Sequence, residues 1–261
     1  MKKYKLAFVF LLLISFVTTS CKKDNPIDTD SSSSSKDTVS NYKLIAYYHF
    51  DNMDAKDYSG MNNNASIQNN VTFVNSDIKG KAAHLEGLYG GGSQGGHILL
   101  PNLSFNNLNE FTVSMWVKEY STTIRDGEAY FYCGDHYTGW LGIMNHIIPE
   151  IDSSKRVMFA SGAYATAYPL HWSNALVLLY PENTWKGIWT HYAISYTNGY
   201  ITAYRNSLMV GSVFQPIKIS NNNTAIGRHW YASETSTRLT ADIDEVRVYA
   251  RALINTEIIS L

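Results

Sequence analysis

In the stretch Phe111-Thr112-Val113-Ser114-Met115-Trp116-Val117, four apolar residues alternate with Thr112, Ser114 and Trp116. Successive side chains of a β-strand point to opposite faces of a sheet, so one face of this strand is wholly apolar. A helix would instead repeat its apolar residues every three or four positions. The stretch therefore predicts a strand with one face in a core. The residues on that face are Phe111, Val113, Met115 and Val117.

Two other runs of alternating residues predict an antiparallel hairpin. Thr190 to Tyr196 and Tyr200 to Tyr204 flank Thr197-Asn198-Gly199, and Asn and Gly tolerate the positive φ of a tight turn. Asp244 to Tyr249 predicts a further strand. Aromatic residues, which favour strands, are abundant, with 19 Tyr in the chain. We therefore expect an all-β fold of two stacked sheets, with a helix of one or two turns only between Ala250 and Ser260.

The first 20 residues have the pattern of an export signal. Positive charges at residues 2–5 precede an apolar stretch from Leu6 to Leu13, which is shorter than the roughly 20 apolar residues of a membrane-spanning helix. Thr18-Thr19-Ser20 then precede Cys21 and are similar to the lipobox of bacterial lipoproteins, in a looser form without Leu at the third position before the cysteine. This resemblance implies that residues 1–20 are removed and that Cys21 becomes the lipidated, palmitate-bearing first residue. The alternative is ordinary secretion with cleavage nearby.

Residues 21–41 predict a flexible tether between the lipid and the folded domain. The segment contains the run Ser31 to Ser35 and has no aromatic residue, so it buries too little apolar surface to order itself. As a random coil, about 20 residues span roughly 25 Å. We therefore expect a protein that is anchored to the cell outer membrane by lipid and exposed at the cell surface.

Composition excludes one class of partner and one kind of cross-link. The formal net charge is −1, with 21 Lys and Arg against 22 Asp and Glu, so the chain lacks the basic surface that binds nucleic acid. The sequence has 2 Cys, and once Cys21 carries lipid only Cys133 remains, so we expect no intramolecular disulfide. Residues 42–261 are numerous enough to form a single domain that is held together by packing alone.

Five segments, in this order, carry a more specific pattern: Tyr47–Asp51 with Asp57–Asn64, Gly80–Gly87, Phe111–Lys118, Trp189–Ala193 and Ile243–Leu253. Together they resemble the laminin-G-like jelly roll of the concanavalin A-like lectin/glucanase superfamily, in the form common in surface lipoproteins of Bacteroidetes. The resemblance implies an antiparallel two-sheet jelly-roll sandwich over residues 42–261. Tyr120–Pro181 does not match the family pattern, so we expect any individual specificity to lie there.

Glu150-Ile151-Asp152 invites comparison with the glycoside hydrolases of this superfamily. In the β-glucanase branch the pattern resembles Glu-Ile-Asp-x-Glu, because alternate residues share a strand face and both glutamates act on one glycosidic bond. Here Ser154 occupies the place of the second glutamate and Lys155 follows it. The acid/base pair is therefore incomplete, and we expect no enzymatic activity.

The resemblance also implies a calcium site where the first and last strands meet. Ca²⁺ takes six to eight oxygen ligands from carboxylates, amides and carbonyls. The matching residues are Asp51, Asp57, Asn64 and Asp244. Asp244 is expected at the start of its strand, near solvent and on the same face as Val246. The alternative is that these side chains cap turns without a metal.

Carbohydrate is the partner that the sequence favours. Sugars stack their C–H faces on aromatic rings, and their hydroxyls bond to amides and charged side chains. The candidate ligand contacts are Tyr137, Trp140, Tyr168, Trp172 and Trp230, which lie among Gly, Ser, Asn and His residues. The alternative is an adhesive or structural module that binds a protein, because a fold alone does not decide function.

Replacing Cys21 tests the lipid anchor. Cys21→Ala removes the thiol that would carry the lipid, so we expect the exported protein in the soluble fraction rather than with membranes. Cell fractionation, together with mass spectrometry of the N-terminal peptide, measures this. Cys133→Ala is the control and should stay with the membrane. Cys21→Ala protein recovered with the membrane would contradict the anchor.

Overall fold

A computed structural model of the chain describes residues 39–87, 95–120, 129–135, 139–145, 156–162, 176–179, 185–216, 219, 223–231, 234–236 and 239–261. Contacts divide the chain into two units, Met1–Ser35 and Lys36–Leu261, and every described residue belongs to the second unit. Almost all regular elements among these residues are strands. The predicted all-β fold is therefore confirmed.

The strands are short and follow one another closely, as the alternating residue pattern predicts. In chain order they are β1 (Leu44–Tyr48), β2 (Ser66–Gln68), β3 (Val71–Asn75), β4 (Lys81–Leu85), β5 (His97–Leu100), β6 (Glu110–Glu119), β7 (Ala129–Asp135), β8 (Gly139–Asn145), β9 (Arg156–Gly162), β10 (Leu176–Leu179), β11 (Trp189–Thr197), β12 (Tyr200–Arg205), β13 (Leu208–Phe214), β14 (Thr224–Ile226), β15 (His229–Tyr231), β16 (Glu234–Ser236) and β17 (Ala241–Tyr249). A 3-10 turn, Phe105–Asn107, precedes β6, and a short helix, α1 (Asn255–Ile259), follows β17.

The strands form two stacked antiparallel sheets. The larger sheet has the order β13-β12-β11-β6-β17-β4-β3, and β1 also pairs with β17. The second sheet has the order β10-β9-β8-β7-β14-β5-β2, and β15 pairs with β16 in a small separate ribbon. Neighbouring strands are often distant in the chain, as where β6 lies between β11 and β17. This connectivity is that of a jelly-roll sandwich.

The core lies between the two sheets and is built from the alternating apolar residues of each strand. Phe111, Val113 and Met115 of β6 are fully buried. They belong to the same apolar cluster as Phe131 and Ile143 of the second sheet. Burial of each such side chain contributes about 1.5–3 kcal/mol to folding. The core strand predicted from the sequence is thus confirmed.

The predicted hairpin is also confirmed, as β11 and β12. Asn198 and Gly199 form its turn with φ angles of 51° and 82°. A Cβ atom at Gly199 would lie 2.6 Å from a ring carbon of Phe214. Gly199 is therefore required both by the left-handed backbone and by the close approach of this ring.

β17 differs from its predicted form because it contains a bulge. It begins at Ala241, and its register with β6 shifts between Asp244 and Arg247, where Glu245 has a φ of 50°. A bulge adds one residue and so reverses the alternation of faces. Val246 consequently lies in the core, whereas Asp244 pairs with Trp116 and is fully buried. The expectation that Asp244 lies near solvent, on the face of Val246, was wrong.

Helix α1 packs against the outer face of the larger sheet. It occupies only the last part of the predicted helical tail, and its Ile258 is buried with Leu44 and Tyr249. Arg251 holds the helix through its Nη2 atom, which lies 2.7 Å from Oε1 of Glu257. Within the part of the chain described here, no helix has the length and apolar character needed to cross a membrane.

A polar network joins the two sheets inside the sandwich. The Tyr130 hydroxyl is hydrogen-bonded to the carboxylate of Glu119 and lies 2.8 Å from Oδ1 of Asn145. The Asn145 amide donates to Oε1 of Glu119 over 3.0 Å. All three residues are buried. The network supplies hydrogen-bond partners to polar groups that would otherwise be costly to remove from water.

His191 is a buried histidine on the outer side of the larger sheet. It is 1% exposed, and its Nε2 atom lies 2.7 Å from the Ser114 hydroxyl. Burial, and to a smaller extent the charge of Arg247, lowers the pKa of His191 from 6.5 to about 4. The folded protein therefore holds this imidazole neutral and hydrogen-bonded through Nε2 to the Ser114 hydroxyl.

We expect acidification to destabilise the fold through His191. The unfolded histidine takes up a proton near pH 6.5, whereas the folded one does so only near pH 4. The contribution of His191 to the free energy of unfolding is therefore complete above pH 6.5 and is lost as the pH falls toward 4. His191→Gln keeps a polar partner for Ser114 and should reduce the loss in melting temperature between about pH 7.5 and about pH 5. Equal losses in the variant and the natural protein would contradict this role.

Candidate functional site

A pocket opens at the end of the sandwich where β6 begins and β11 ends. Its volume is about 370 Å³, which lies within the range of small-molecule sites. The described residues that line it are Phe105, Asn106, Leu108, Asn109, Phe111, Tyr196, Asn198, Gly199 and Ile219. We call it the end pocket. It is formed where the 3-10 turn, two paired strands and a hairpin turn come together.

Aromatic rings form the floor and one wall of the end pocket. Phe111 and Tyr196 face each other across the β6–β11 pair, with ring centroids 5.2 Å apart and an interplanar angle of 26°. Phe105 meets the edge of Phe111 at 5.1 Å. Phe105 and Phe111 are buried, whereas Tyr196 is only half-buried. The Tyr196 ring is thus held in place from behind and remains partly open to a ligand.

Three exposed asparagines, Asn106, Asn109 and Asn198, surround the mouth of the pocket. The 3-10 turn that carries Asn106 is preceded by Ser104 in the left-handed region, with a φ of 54°. The Oδ1 atom of Asn102 accepts a hydrogen bond of 2.8 Å from the Ser104 backbone and supports this turn. Local turn chemistry therefore positions the amides around the aromatic wall.

The end pocket is suited to an uncharged ligand. None of the described residues that line it is Asp, Glu, Lys, Arg or His. The neighbouring carboxylate of Glu110 accepts a hydrogen bond of 2.9 Å from the Thr197 hydroxyl. A half-buried ring beside three amides can pack on an apolar face of a ligand while the amides bond to its hydroxyl groups.

Two of the predicted calcium ligands, Asp57 and Asn64, organise a turn. The Asp57 carboxylate accepts hydrogen bonds from the backbone N–H groups of Tyr47, Ser59 and Asn63 and from the Ser59 hydroxyl, at 2.8–2.9 Å. Asn64 accepts a bond of 2.9 Å from the backbone of Asp57. Both oxygens of Asp57 are thus used by protein donors. Asp57 and Asn64 therefore cap this turn, and calcium binding by them stays a prediction.

The other two predicted calcium ligands, Asp51 and Asp244, lie close enough for their charges to interact. Burial, and to a smaller extent the charges of Glu245 and Asp51, raises the pKa of Asp244 to about 7. Asp51 accepts a bond of 2.8 Å from the Lys81 backbone. Among the residues with described positions, no three His, Cys, Asp or Glu side chains are grouped to hold a metal. Both oxygens of Asp244 likewise accept hydrogen bonds from the protein, Oδ2 from the Ser76 hydroxyl and Oδ1 from the backbone N–H of Glu245. Calcium binding at the predicted residues stays a prediction, and Asp51 and Asp244 are the carboxylates at which we test it.

None of the predicted ligand-contacting aromatic residues is among the described residues that line the end pocket. Trp140 lies in β8, has no exposed surface and stacks on Tyr132 with ring centroids 5.6 Å apart. A ring without exposed surface cannot stack on a sugar, so the prediction fails for Trp140. Although Trp140 lies among Gly and His residues in the sequence, it belongs to a buried strand. Trp230 lies in β15, but its side chain is not among the parts that the structure describes. Tyr137, Tyr168 and Trp172 lie outside the described residues.

The family assignment rests on the sequence from the Gly-rich segment to the helix. The pattern of the laminin G group in the concanavalin A-like lectin/glucanases superfamily matches residues 91–259, which is more than half of the chain. The chain belongs to this family. The resemblance carried by the five sequence segments is thereby confirmed for this concanavalin A-like domain, whereas lipidation of Cys21 stays a prediction. No curated protein sequence matches the chain.

Solved structures of binding domains share this concanavalin A-like fold. Domain 4 of AbnA, a GH43 extracellular arabinanase from Geobacillus stearothermophilus, solved with arabinotriose, is 26% identical with a TM-score of 0.60, and the match covers 83% of this chain and 97% of that one. The binding domain of botulinum neurotoxin DC, solved with rat synaptotagmin II, is 14% identical with a TM-score of 0.56, covering 84% and 51%. The binding domain of Paraclostridial Mosquitocidal Protein 1 is 17% identical with a TM-score of 0.55, covering 83% and 51%.

The end pocket of this concanavalin A-like domain was not predicted from the sequence. The Asn198–Gly199 turn and the strand that begins near Phe111 were predicted, but their proximity was not. The pairing of β6 with β11, which sets Phe111 opposite Tyr196, joins residues that are far apart in the chain. The alternating pattern shows which face of each strand is buried but does not reveal which strands are neighbours.

Chelation tests the calcium proposal. A Ca²⁺ ion bound at Asp51 and Asp244 would stabilise only the folded state, so EDTA should lower the melting temperature and added Ca²⁺ should restore it. Asp244→Asn removes one charged ligand and should melt at the same temperature with and without EDTA. An unchanged melting temperature of the natural protein in EDTA would rule out a structural calcium.

Proposed function

We propose that this protein is a non-catalytic, surface-exposed lipoprotein that binds carbohydrate through the end pocket. The observation that carries the proposal is the half-buried Tyr196 ring beside the exposed amides of Asn106, Asn109 and Asn198. Sugars need this combination, because one face of a sugar ring is apolar whereas its edge carries hydroxyl groups. The proposed ligand is an uncharged glycan, in keeping with the absence of charged residues among the described lining.

A similar solved domain supports a carbohydrate ligand. Domain 4 of the AbnA arabinanase was solved with arabinotriose and matches this chain over 97% of its own length. It is one domain of an extracellular arabinanase, and its similarity to this chain supports a sugar as the ligand of the same fold. By analogy, we propose neutral plant or host oligosaccharides as the ligand class for this chain.

The lining of the end pocket favours binding over hydrolysis. Glycoside hydrolases require two carboxyl groups on either side of the scissile bond. The described residues that line the pocket include no carboxylate. Glu150 and Asp152, which invited the comparison with glucanases, lie outside the described residues. We therefore propose capture of a glycan rather than its cleavage.

The proposed location follows from the N-terminal sequence. A lipid on Cys21 would anchor the chain in the outer membrane, and the Ser-rich tether would hold the domain away from the lipid surface. A binding module in this position can keep a polysaccharide at the cell surface. This part of the proposal rests on sequence alone.

A second candidate function is binding of a protein partner. Leu208 and Met209, at the start of the edge strand β13, are 75% and 62% exposed. Exposed apolar side chains on a sheet edge favour contact with another protein. A related fold, the neurotoxin binding domain, was solved with a protein, rat synaptotagmin II. Met209→Lys would weaken this function and leave glycan binding unchanged.

Loss of sugar binding on removal of the Tyr196 ring tests the proposed function. Arabinotriose, xylotriose and mannotriose are titrated into the protein to find the sugar that binds most tightly. That sugar should bind the Tyr196→Ala variant at least about tenfold more weakly, which is equivalent to ~1.4 kcal/mol of lost stacking free energy. Asn109→Ala, an exposed rim substitution that leaves the aromatic packing intact, should also weaken binding.

Tyr58→Ala is the matched control, because Tyr58 is a 39% exposed tyrosine that does not line the end pocket. It should bind as the natural protein does. Melting curves establish that each variant is folded. Equal affinity of the natural protein, Tyr196→Ala and Asn109→Ala would refute the end pocket as the binding site.

A further inference from the structure

We propose that the binding site extends from the end pocket over the hairpin turn onto the exposed rings of Tyr200 and Phe214, so that the ligand is an oligosaccharide chain rather than a single sugar. The inference rests on the proposed carbohydrate-binding function and adds a second contact surface to it. We call these two rings the hairpin pair. None of the residues predicted from the sequence to contact ligand belongs to it.

The hairpin pair is an exposed aromatic surface. Tyr200, the first residue of β12, is 49% exposed, and Phe214, the last residue of β13, is 55% exposed. The two residues are register partners across the β12–β13 ladder. Their ring centroids are 5.2 Å apart at an interplanar angle of 64°. The rings support each other and still present about half of their surface to solvent.

Gly199 lies between the end pocket and the hairpin pair along the chain. Tyr196 and its register partner Ile201 face the core, whereas Tyr200 faces the outer side of the sheet, so a ligand must cross the turn at Gly199 to reach both surfaces. Gly199 and Asn198 line the pocket, and Tyr200 follows them directly in the chain. On its other side Gly199 is approached by Phe214, since a Cβ atom there would lie 2.6 Å from the ring. The backbone of Gln215 donates a 2.7 Å hydrogen bond to the Gly199 carbonyl and holds the end of β13 at the turn. A single glycine thus separates the two aromatic surfaces.

The chemistry of the two surfaces suits different parts of one glycan chain. The pocket encloses its ligand between a ring and amides, whereas the hairpin pair is open and offers apolar contact without enclosure. An open aromatic surface adds affinity only for a ligand that is already held nearby, because its own contact area is small. A glycan chain whose first sugar is bound in the end pocket, and which leaves the pocket over Gly199, is held near the hairpin pair in this way.

The dependence of affinity on chain length tests the extended site. Arabinose, arabinotriose and arabinohexaose, with the matching xylose series, are titrated into the protein. For the series that binds, we expect affinity to rise about tenfold or more from one to six residues. Tyr200→Ala should abolish this rise and leave the affinity for the monosaccharide unchanged. Tyr200→Phe keeps the ring and should keep the rise.

Leu208→Ala is the matched control, since Leu208 is a 75% exposed apolar residue at the other end of β13. It should show the same length dependence as the natural protein. Binding that is independent of chain length, or a Tyr200→Ala loss that is equal at every length, would overturn the extended site and leave the proposed function intact. Failure of both sugar series and of mannotriose to bind would overturn the proposed function itself, and the extended site with it.

Discussion

The pairing of β6 with β11 on one side and β17 on the other is the interaction on which the rest of the sandwich depends. It places the apolar face of β6 in the centre of the larger sheet and sets the register of both neighbours. A slip of one residue would exchange Val113 and Met115 for Ser114 and Trp116 in the core, so the register is strongly determined. The same register sets Phe111 opposite Tyr196 and thereby builds the wall of the end pocket.

Turns between the strands carry the asparagine side chains of the end pocket. Several non-glycine residues with positive φ occur in turns, among them Ser104 before the 3-10 turn and Asn198 in the β11–β12 hairpin. Asn and Ser are suited to such positions because their short side chains bond to nearby backbone. The turns therefore place amides at the mouth of the pocket without disturbing the strands. Binding groups on turns that a rigid sheet supports are typical of recognition modules.

The polar groups buried in the sheets strengthen the frame rather than act on a ligand. Glu119, Tyr130 and Asn145 bond to one another between the sheets, and His191 is kept neutral beside Ser114. Each such group is costly to bury alone and stabilising when it is partnered. Asp57 does the same for a surface turn through four hydrogen bonds. Carboxylates that the sequence marks as candidate ligands thus accept hydrogen bonds within the folded protein.

Local sequence pattern is sufficient to predict the all-β class, the core strand at Phe111 to Val117, the hairpin at Asn198 and Gly199, and the superfamily. Each of these depends on alternation, turn chemistry or short motifs within one stretch of chain. The sequence pattern misjudged Asp244 because a bulge at Glu245 reverses the faces of β17, and Trp140 because that residue lies in a buried strand. Only the tertiary structure brought Phe111, Tyr196 and Asn106 into one pocket. Contacts between strands far apart in the chain depend on which strands pair, and local pattern does not contain that information.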